Sequence, residues 1–120
     1  MNWIETPTMQ RAEHFLDLVA FRHELLSSNL ANVDTPGYRT QDIDFESEMR
    51  RAEQRLAGTA VSPHVQEVKG LIERPDGNNV SLDRESRLLA ENALRFQAAS
   101  GLLRAQIQQV RSAIKEGQGS

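Results

Sequence analysis

Three histidines are the residues of this chain best suited to bind a metal ion. His14, His23 and His64 do not stand three or four residues apart, the spacing that places two ligands on one helix face. The chain has no cysteine, which excludes thiolate metal sites and disulfides. The run from Asp76 to Asn79 resembles half of a calcium-binding loop, but the glutamate that such a loop needs is missing. We therefore expect neither a metal ion nor a cofactor.

Catalytic motifs are missing from the sequence as well. It has no glycine-rich phosphate loop, no nucleophile elbow, and no serine, histidine and aspartate at suggestive spacing. Its carboxylates follow helix surfaces, where solvation and ion pairs within one helix explain them. We expect that the chain is not an enzyme. An enzyme or metal-dependent regulator stays a remote alternative. Only a loss of activity or stability on addition of a chelator would support it.

Composition excludes several classes of partner. The 120 residues carry a net charge of −3 and no basic block, which argues against binding to nucleic acid or to an anionic membrane surface. The apolar run Leu18–Phe21 is too short for a transmembrane span or for the core of a secretory signal. We expect a single domain over residues 1–120 with no membrane insertion. If it leaves the cytoplasm, we expect export without a cleaved signal peptide.

The N-terminal part of the chain predicts a long helix over residues 6–34. Thr6 is a hydroxyl N-cap, and Pro7 suits the first helical position. Apolar residues then recur at spacings of three and four, interrupted only by a histidine, which is the pattern of a coiled-coil seam. This N-terminal seam consists of Met9, Ala12, Leu16, Val19, His23, Leu26, Leu30 and Val33. Phe15 is one of the residues that widen the stripe, enough to touch more than one neighbour.

The segment after this helix predicts a stop and a reversal of the chain. Pro36 disfavours helical dihedrals at Thr35, so the helix should end by about Asp34. The four residues that end at Tyr38 then suit a type II turn, with Pro36 in second place and Gly37 in third, where φ is positive.

Two amides stand close to this turn. Asn29 and Asn32 are three residues apart, so they share a helix face, and we expect it to lie beside Leu30 rather than inside the apolar stripe. An ordinary helix end explains the local pattern, but it does not explain two amides placed there together.

The C-terminal part predicts a longer helix over residues 81–116. Ser81 can cap its start and Gly117 can end it. The C-terminal seam, again spaced by three and four, consists of Leu82, Ser86, Leu89, Ala93, Phe96, Ser100, Leu103, Ile107, Val110 and Ile114. Neither helix can bury its stripe alone. We therefore predict a mainly α fold, in which the two pair as an antiparallel coiled-coil-like hairpin around a thin aliphatic core.

The middle of the chain, residues 35–80, has a weaker pattern. It predicts a short helix, capped by Asp42 or Asp44 and ended by Gly58, from the spacing of Phe45, Met49, Ala52 and Leu56. Residues 61–74 fit either two short strands or an extended loop. A loop of this length is uncommon in a compact domain unless it has a function or is held by something else.

Two stretches of the sequence carry a resemblance to a known family. Asn29-Leu30-Ala31-Asn32 followed by Asp34-Thr35-Pro36-Gly37-Tyr38 resembles the N-terminal signature of bacterial flagellar axial proteins, which are rod, hook and hook-associated subunits. Farther along, Asp76 to Val80 and Leu89 to Ala98 are similar to proximal-rod members of this family. The short chain agrees, because hook and distal-rod proteins carry larger insertions between the terminal helices.

The resemblance implies a structural subunit of the proximal rod of the flagellar basal body, the periplasmic drive shaft needed for motility. It implies export through the flagellar type III apparatus and terminal helices that pair around a central channel. The partners it implies are further copies of the chain, other rod subunits, and membrane-ring and rod-adaptor proteins.

We predict three groups of subunit-interface residues. They belong to the N-terminal seam, to the C-terminal seam, and to the helix end with its turn. In that order they are Leu16, Val19, Leu26 and Leu30; Phe96, Leu103, Ile107 and Val110; and Asn29, Asn32, Pro36, Gly37 and Tyr38. Since a thin core leaves much apolar surface for contacts between molecules, we expect the isolated monomer to be partly disordered and to order on assembly. Leu103→Asp should block incorporation.

Two alternative functions stay open. One is another proximal-rod axial protein, against which the sequence from Asp76 to Val80 argues. The other is a helical-hairpin adaptor, which binds partners reversibly and does not polymerise. Deleting the gene and imaging the basal bodies separates a rod protein from an adaptor, because loss of a rod protein leaves rings without a shaft.

Overall fold

The computed structural model describes residues 6–54 and 62–118, with two long helices and small elements between them. In chain order the elements are α1 (Pro7–Ala31), β1 (Gln41–Asp42), α2 (Phe45–Glu53), β2 (Gln66–Glu67) and α3 (Leu82–Gln118). The molecule is elongated, with principal extents of 72, 27 and 18 Å. The predicted fold class is confirmed. None of the helices in the described ranges is long and apolar enough to span a membrane.

The start of α1 follows the predicted signals. The Thr6 hydroxyl accepts a hydrogen bond from the backbone N–H of Met9 at 3.1 Å, and Pro7 takes the first helical position. Because proline has no N–H to leave unpaired there, it favours a helix start. The helix ends at Ala31, slightly before the predicted limit.

α3 also begins where it was predicted. The Ser81 hydroxyl accepts a hydrogen bond from the backbone N–H of Arg84 at 3.2 Å, so it caps the helix. The predicted stop at Gly117 is wrong, since α3 continues through this residue to Gln118. Gly117 does not have the positive φ of a glycine that ends a helix.

The short helix α2 is capped by the second of the two candidate aspartates. The Asp44 carboxylate accepts a hydrogen bond from the backbone N–H of Ser47 at 3.2 Å. The helix ends at Glu53, and the predicted positions Leu56 and Gly58 lie outside the described residues. Acidic residues in the first turn and arginines in the last complement the helix dipole.

α1 and α3 pack against each other in antiparallel orientation. Asn29, near the end of α1, contacts Glu85, near the start of α3, and the Val19 carbonyl accepts a hydrogen bond from the Asn92 amide at 2.8 Å. The predicted hairpin is therefore confirmed. Counted on from the contact of Val19 with Asn92, Pro7 falls opposite about residue 104, so the last turns of α3 run beyond the described part of α1.

The buried residues of α3 differ in part from the predicted C-terminal seam, of which Leu89 and Leu103 are half-buried. Those buried in α3 are Glu85, Asn92 and Ala99, which recur every seven positions and which we call the contact face. Leu82 and Phe96 of the C-terminal seam are instead 56% and 49% exposed. Both nevertheless border the contact face, since each lies three or four positions from one of its residues. The prediction was displaced by one residue at the alternate seam positions Ser86, Ala93 and Ser100, where the structure buries the preceding residue instead.

The N-terminal seam of α1 is confirmed in part. Its residues Met9, Ala12, Val19 and Leu26 are buried, and Leu16, Leu30 and Val33 are half-buried. His23 is exposed, and Asn29 is more buried than Leu30. The placement of Asn29 beside the stripe was therefore wrong, because this amide points into the chain.

Aromatic contacts hold α2 against both long helices. The rings of Phe15 and Phe45 meet edge to face, with 5.1 Å between their centroids. The guanidinium of Arg95 on α3 lies 5.3 Å from the centroid of the Phe45 ring, close enough for a cation–π contact. α1 thus touches α2 as well as α3, as the wide apolar stripe predicted.

The two strands form a minimal antiparallel sheet. Gln41 pairs with Glu67 and Asp42 with Gln66. Residues 61–74 were predicted to form either two short strands or an extended loop. The described part of this segment holds one short strand, β2, and its partner β1 lies shortly after the turn that follows α1. The sheet therefore fastens this loop beside the end of α1.

Candidate interaction site

The turn after α1 has the geometry of a type II turn. The backbone N–H of Tyr38 donates to the Thr35 carbonyl at 3.2 Å, and Gly37 has a φ of +76°. Pro36 precedes it, so the predicted turn is confirmed. A downstream segment closes onto this turn, since the backbone N–H of Gly37 donates to the Asp76 carbonyl at 2.9 Å.

Asn78 ties that downstream segment to the end of α1. Its amide nitrogen donates to the carbonyls of Asn32 and Thr35 at 2.9 and 2.8 Å, and its amide oxygen accepts from the backbone N–H of Val80 at 2.8 Å. The side chain is fully buried. Carbonyls at a helix C-terminus lack partners within the helix. Asn78, which stands 46 residues after Asn32 in the sequence, supplies such a partner.

Asn79 holds the chain just before β1. Its amide oxygen accepts hydrogen bonds from the backbone N–H of Thr40 at 2.7 Å and from the Thr40 hydroxyl at 2.9 Å. Both side chains are buried. The Thr40 carbonyl in turn accepts from the backbone N–H of Val68 at 2.9 Å, so the contact also reaches the residue that follows β2.

Asn29 joins three parts of the molecule. Its amide nitrogen donates to the Gln41 carbonyl at 2.8 Å and to a carboxylate oxygen of Glu85 at 3.1 Å. Its amide oxygen accepts from the backbone N–H of Gln41 and from the Tyr38 hydroxyl, each at 3.1 Å. The amide thus uses both of its ends inside the chain.

A group of charges lies beside this amide. The guanidinium of Arg22 donates through two nitrogens to the two carboxylate oxygens of Asp42, each at 3.0 Å. Arg84 donates to Asp42 at 2.6 Å and to Glu85 at 2.7 Å. Asp42 and Glu85 are buried, and each has a cationic partner. Buried charges persist only when they are paired in this way.

We call these side chains together the polar junction. It connects the end of α1, the strand β1, the loop before α3 and the first turn of α3. Its members are Arg22, Asn29, Thr40, Asp42, Asn78, Asn79, Arg84 and Glu85.

The polar junction is built to hold segments together rather than to do chemistry. Burial alone would raise the pKa of Asp42, but hydrogen bonds from Arg22, Arg84 and the backbone N–H of Ile43 together outweigh it and hold the pKa below its ordinary value. The carboxylate therefore stays ionised and paired. Within residues 6–54 and 62–118, no cluster of histidine or carboxylate side chains is arranged to hold a metal ion.

The residues predicted to form the subunit interface lie in different environments. Those buried within the chain are Val19, Leu26 and Asn29. Those half-buried are Leu16, Leu30, Asn32, Tyr38, Leu103 and Val110. Those exposed are Pro36, Gly37, Phe96 and Ile107. Contacts join Asn29 to Tyr38, and Phe96 and Leu103 border the contact face of α3, three and four positions from Ala99. Their part in a subunit interface stays a prediction.

Sequence reasoning missed most of the polar junction. Asp42 and Arg22 are 20 residues apart, and Arg84 is a further 42 residues from Asp42, so no local pattern joins them. One signal was present in the sequence. Glu85 and Asn92 stand seven residues apart, the spacing of positions that share a helix face.

The chain is similar to flagellar basal body rod proteins. The model of the flagella basal body rod protein family matches residues 22–39, which span the end of α1 and its turn. Flagellar basal body rod protein FlgB of Yersinia enterocolitica is 34% identical to this chain, over 85% of this chain and 89% of the relative. FlgB of Escherichia coli K12 is also 34% identical, over 85% and 88%. FlgB of Cereibacter sphaeroides is 36% identical, over 78% and 83%.

Proposed function

Because this chain belongs to the FlgB family of flagellar basal body rod proteins, we propose that it is a structural subunit of the proximal rod. The observation that carries this function is the identity of 34% to a named rod protein across 85% of the chain. Its place in the cell is the flagellar basal body, and its role there is mechanical rather than catalytic.

Apolar side chains that stay exposed after α1 and α3 have paired support assembly into a polymer. The large exposed apolar side chains on α3 are Leu82, Leu94, Phe96, Leu102, Ile107 and Ile114. Long helices rarely leave so many such side chains in water unless a partner covers them. We therefore retain as interface residues the exposed and half-buried members of the three predicted groups, with Phe96 and Ile107 as the seam residues most open to a neighbouring subunit. Val19, Leu26 and Asn29 are buried within the chain, so they support the interface from inside.

The polymer grows through contacts between unlike surfaces. Head-to-tail contacts that do not close into a ring propagate a helix of subunits. The partners we propose are further copies of this chain, other rod subunits, membrane-ring proteins and rod-adaptor proteins. We propose that the subunit reaches the periplasm through the flagellar type III apparatus.

Deleting the gene and imaging the basal bodies tests the function. A rod subunit leaves rings without a shaft and cells that do not swim, and the full-length gene restores both. Complete rods in the deletion strain would contradict the proposal and would favour the reversible adaptor.

Complementation with point variants tests the interface. Phe96→Asp and Leu103→Asp should fail to restore swimming, because each places a charge in an apolar contact. Gln97→Asp is the matched control on an exposed position of the same helix and should swim. Circular dichroism of each purified variant checks that its helices form. Normal swimming of both seam variants would contradict the interface and leave the rod function standing.

A further inference from the structure

Three basic residues form a stripe along the part of α3 that runs beyond α1. Arg104, Arg111 and Lys115 are all exposed, and their spacings of seven and four residues place them on one side of the helix. None of these three, which we call the basic stripe, forms an ion pair with a described residue. Arg111 and Lys115 repel each other at a spacing of four, so a contact with negative charge outside the helix would stabilise this segment.

α1 carries an acidic stripe with the same spacing in the reverse direction. Read toward the N-terminus, the exposed residues Glu24, Asp17 and Glu13 stand seven and then four positions apart, and we call them the acidic stripe. Asp17 and Glu24 each precede a buried residue of α1, Val19 or Leu26, by two positions, so they lie ~160° around the helix from that core. Within the described part of the chain, neither Asp17 nor Glu24 has an ion-pair partner.

The two stripes cannot meet within one molecule. The hydrogen bond between Asn92 and the Val19 carbonyl places Glu24 opposite about residue 87 of the same chain. Arg104 is ~17 residues farther along α3, which is ~25 Å. An ion pair needs its charged atoms within about 4 Å. A contact between the stripes therefore has to join two molecules.

We propose that the basic stripe docks on the acidic stripe of a second copy of this chain, with Arg104 facing Glu24 and Arg111 facing Asp17. The two helices run antiparallel in this contact, because the spacing of the basic stripe read forward equals that of the acidic stripe read backward. The inference rests on the proposed rod function and adds to it the partner surface and the register of one subunit contact.

Apolar side chains beside the charges fit the same register. Ile107 stands three positions after Arg104 and is 39% exposed, so it borders the basic stripe. Ala20 stands four positions before Glu24, is exposed, and borders the acidic stripe on the side that meets Ile107 when the helices are antiparallel. Exposed ion pairs alone contribute little to affinity. The apolar contact supplies burial, and the charges select the partner and the register.

The contact gives the assembly a direction and a step. The second copy has the same orientation as the first, since its α1 lies antiparallel to both copies of α3. It is displaced along α3 by ~17 residues, or ~25 Å. The two surfaces are unlike, so each copy keeps one of them open for the next, and the contact propagates instead of closing a pair. It also covers the turns of α3 that extend beyond α1.

Disulfide formation tests the register, because the sequence contains no cysteine. Glu24→Cys and Arg104→Cys are produced together in the deletion strain as separate alleles, and isolated basal bodies are oxidised. A disulfide needs Cα atoms within about 7 Å, so a dimer should appear on non-reducing electrophoresis, and neither allele alone should give one. Glu24→Cys with Lys115→Cys is the matched control. It lies ~16 Å out of register and should give at least ~10-fold less dimer.

Charge reversal tests which surfaces meet. Asp17→Lys with Glu24→Lys, and Arg104→Glu with Arg111→Glu, should each fail to restore swimming to the deletion strain, because like charges then face each other. The fourfold variant should restore the swimming halo to at least ~half the parent diameter, since the pairs reform with exchanged signs. Gln109→Glu adds negative charge at an exposed position of α3 away from the stripe and should swim normally.

The outcomes separate this contact from the rod function. Parent rods that form without the dimer between positions 24 and 104 overturn the contact, and so does equal dimer in the register control or normal swimming of either double reversal. A fourfold variant that is helical by circular dichroism and does not swim shows that the stripes face a different protein, which overturns pairing between copies. If that variant does not fold, the disulfide decides. A deletion strain with complete rods would instead overturn the rod function.

Discussion

Asn29 on α1 and Glu85 on α3 are 56 residues apart in sequence, and the amide nitrogen of one donates to the carboxylate of the other at 3.1 Å. Both side chains are fully buried. Asn29 also binds the backbone of Gln41 through its nitrogen and its oxygen. A single amide thus fixes the register of the long helices and the position of β1 between them.

Asn29→Ala should lower the free energy of unfolding by about 3 kcal/mol. It removes four hydrogen bonds and leaves buried groups of Gln41 and Glu85 without this partner, and unpaired buried groups are the main source of such losses. Asn32→Ala is the control. That side chain is half-buried, and its partners among the described residues are the nearby Ser28 and Thr35, so the change should cost about 0.5 kcal/mol. Urea denaturation measures both, and equal losses would contradict the importance of Asn29.

Stability should fall in acid as Asp42 takes up a proton. Hydrogen bonds from Arg22 and Arg84 hold its pKa below the ordinary 3.8 in spite of burial. Because the folded pKa is lower than the unfolded one, the stabilisation is present at neutral pH and disappears as pH falls through the folded pKa. The free energy of unfolding should therefore be nearly constant from about pH 7 to pH 5 and decline below about pH 4.

Asp42→Asn separates this contribution from those of other carboxylates. The variant should be less stable at neutral pH, because two half-buried guanidinium groups lose their shared partner, and its decline in acid should be shallower. Asp44 also has a lowered pKa, chiefly from the backbone hydrogen bond of Ser47, but it is fully exposed, so Asp44→Asn serves as the control. An acid decline in Asp42→Asn as steep as in the parent would count against this account.

The elements were predictable from sequence because their signals are local. Thr6 with Pro7 marks the start of α1, Ser81 the start of α3, and the pair Pro36-Gly37 the turn. Each acts within three or four residues of chain, where capping and dihedral preferences decide the outcome.

The polar residues on the contact face of α3 were not predictable in the same way. Periodicity favours apolar and small residues, so the predicted seam took Ser86 and Ala93 where the structure buries the preceding Glu85 and Asn92. The burial of Glu85 depends on Asn29, which is 56 residues away in sequence. A pattern that scores single residues cannot find a buried pair whose two members are each unfavourable when alone.

The same substitution should have opposite effects at two glycines. Gly101→Ala should raise the free energy of unfolding by about 0.5–1 kcal/mol, because Gly101 lies inside α3 and an added β-carbon meets no atom within 4 Å. Gly37→Ala should lower it by about 1–2 kcal/mol, since its φ of +76° disfavours any β-carbon although space is available. Thermal and urea denaturation of the two variants test the signs, and a stabilising Gly37→Ala would contradict the turn geometry.

The C-terminal turns of α3 should be the least protected part of the long helices in an isolated monomer. Beyond about residue 104 the helix runs past the described part of α1, and a free helix of that length is marginal in water. Hydrogen exchange on a dilute monomer should therefore be slow around Asn29 and Glu85 and fast over residues 105–118. Uniformly slow exchange, with well-dispersed amide signals through the whole of α3, would contradict both this gradient and the expected partial disorder of the monomer. If exchange over residues 105–118 becomes slow in assembled rods, this segment becomes ordered during assembly.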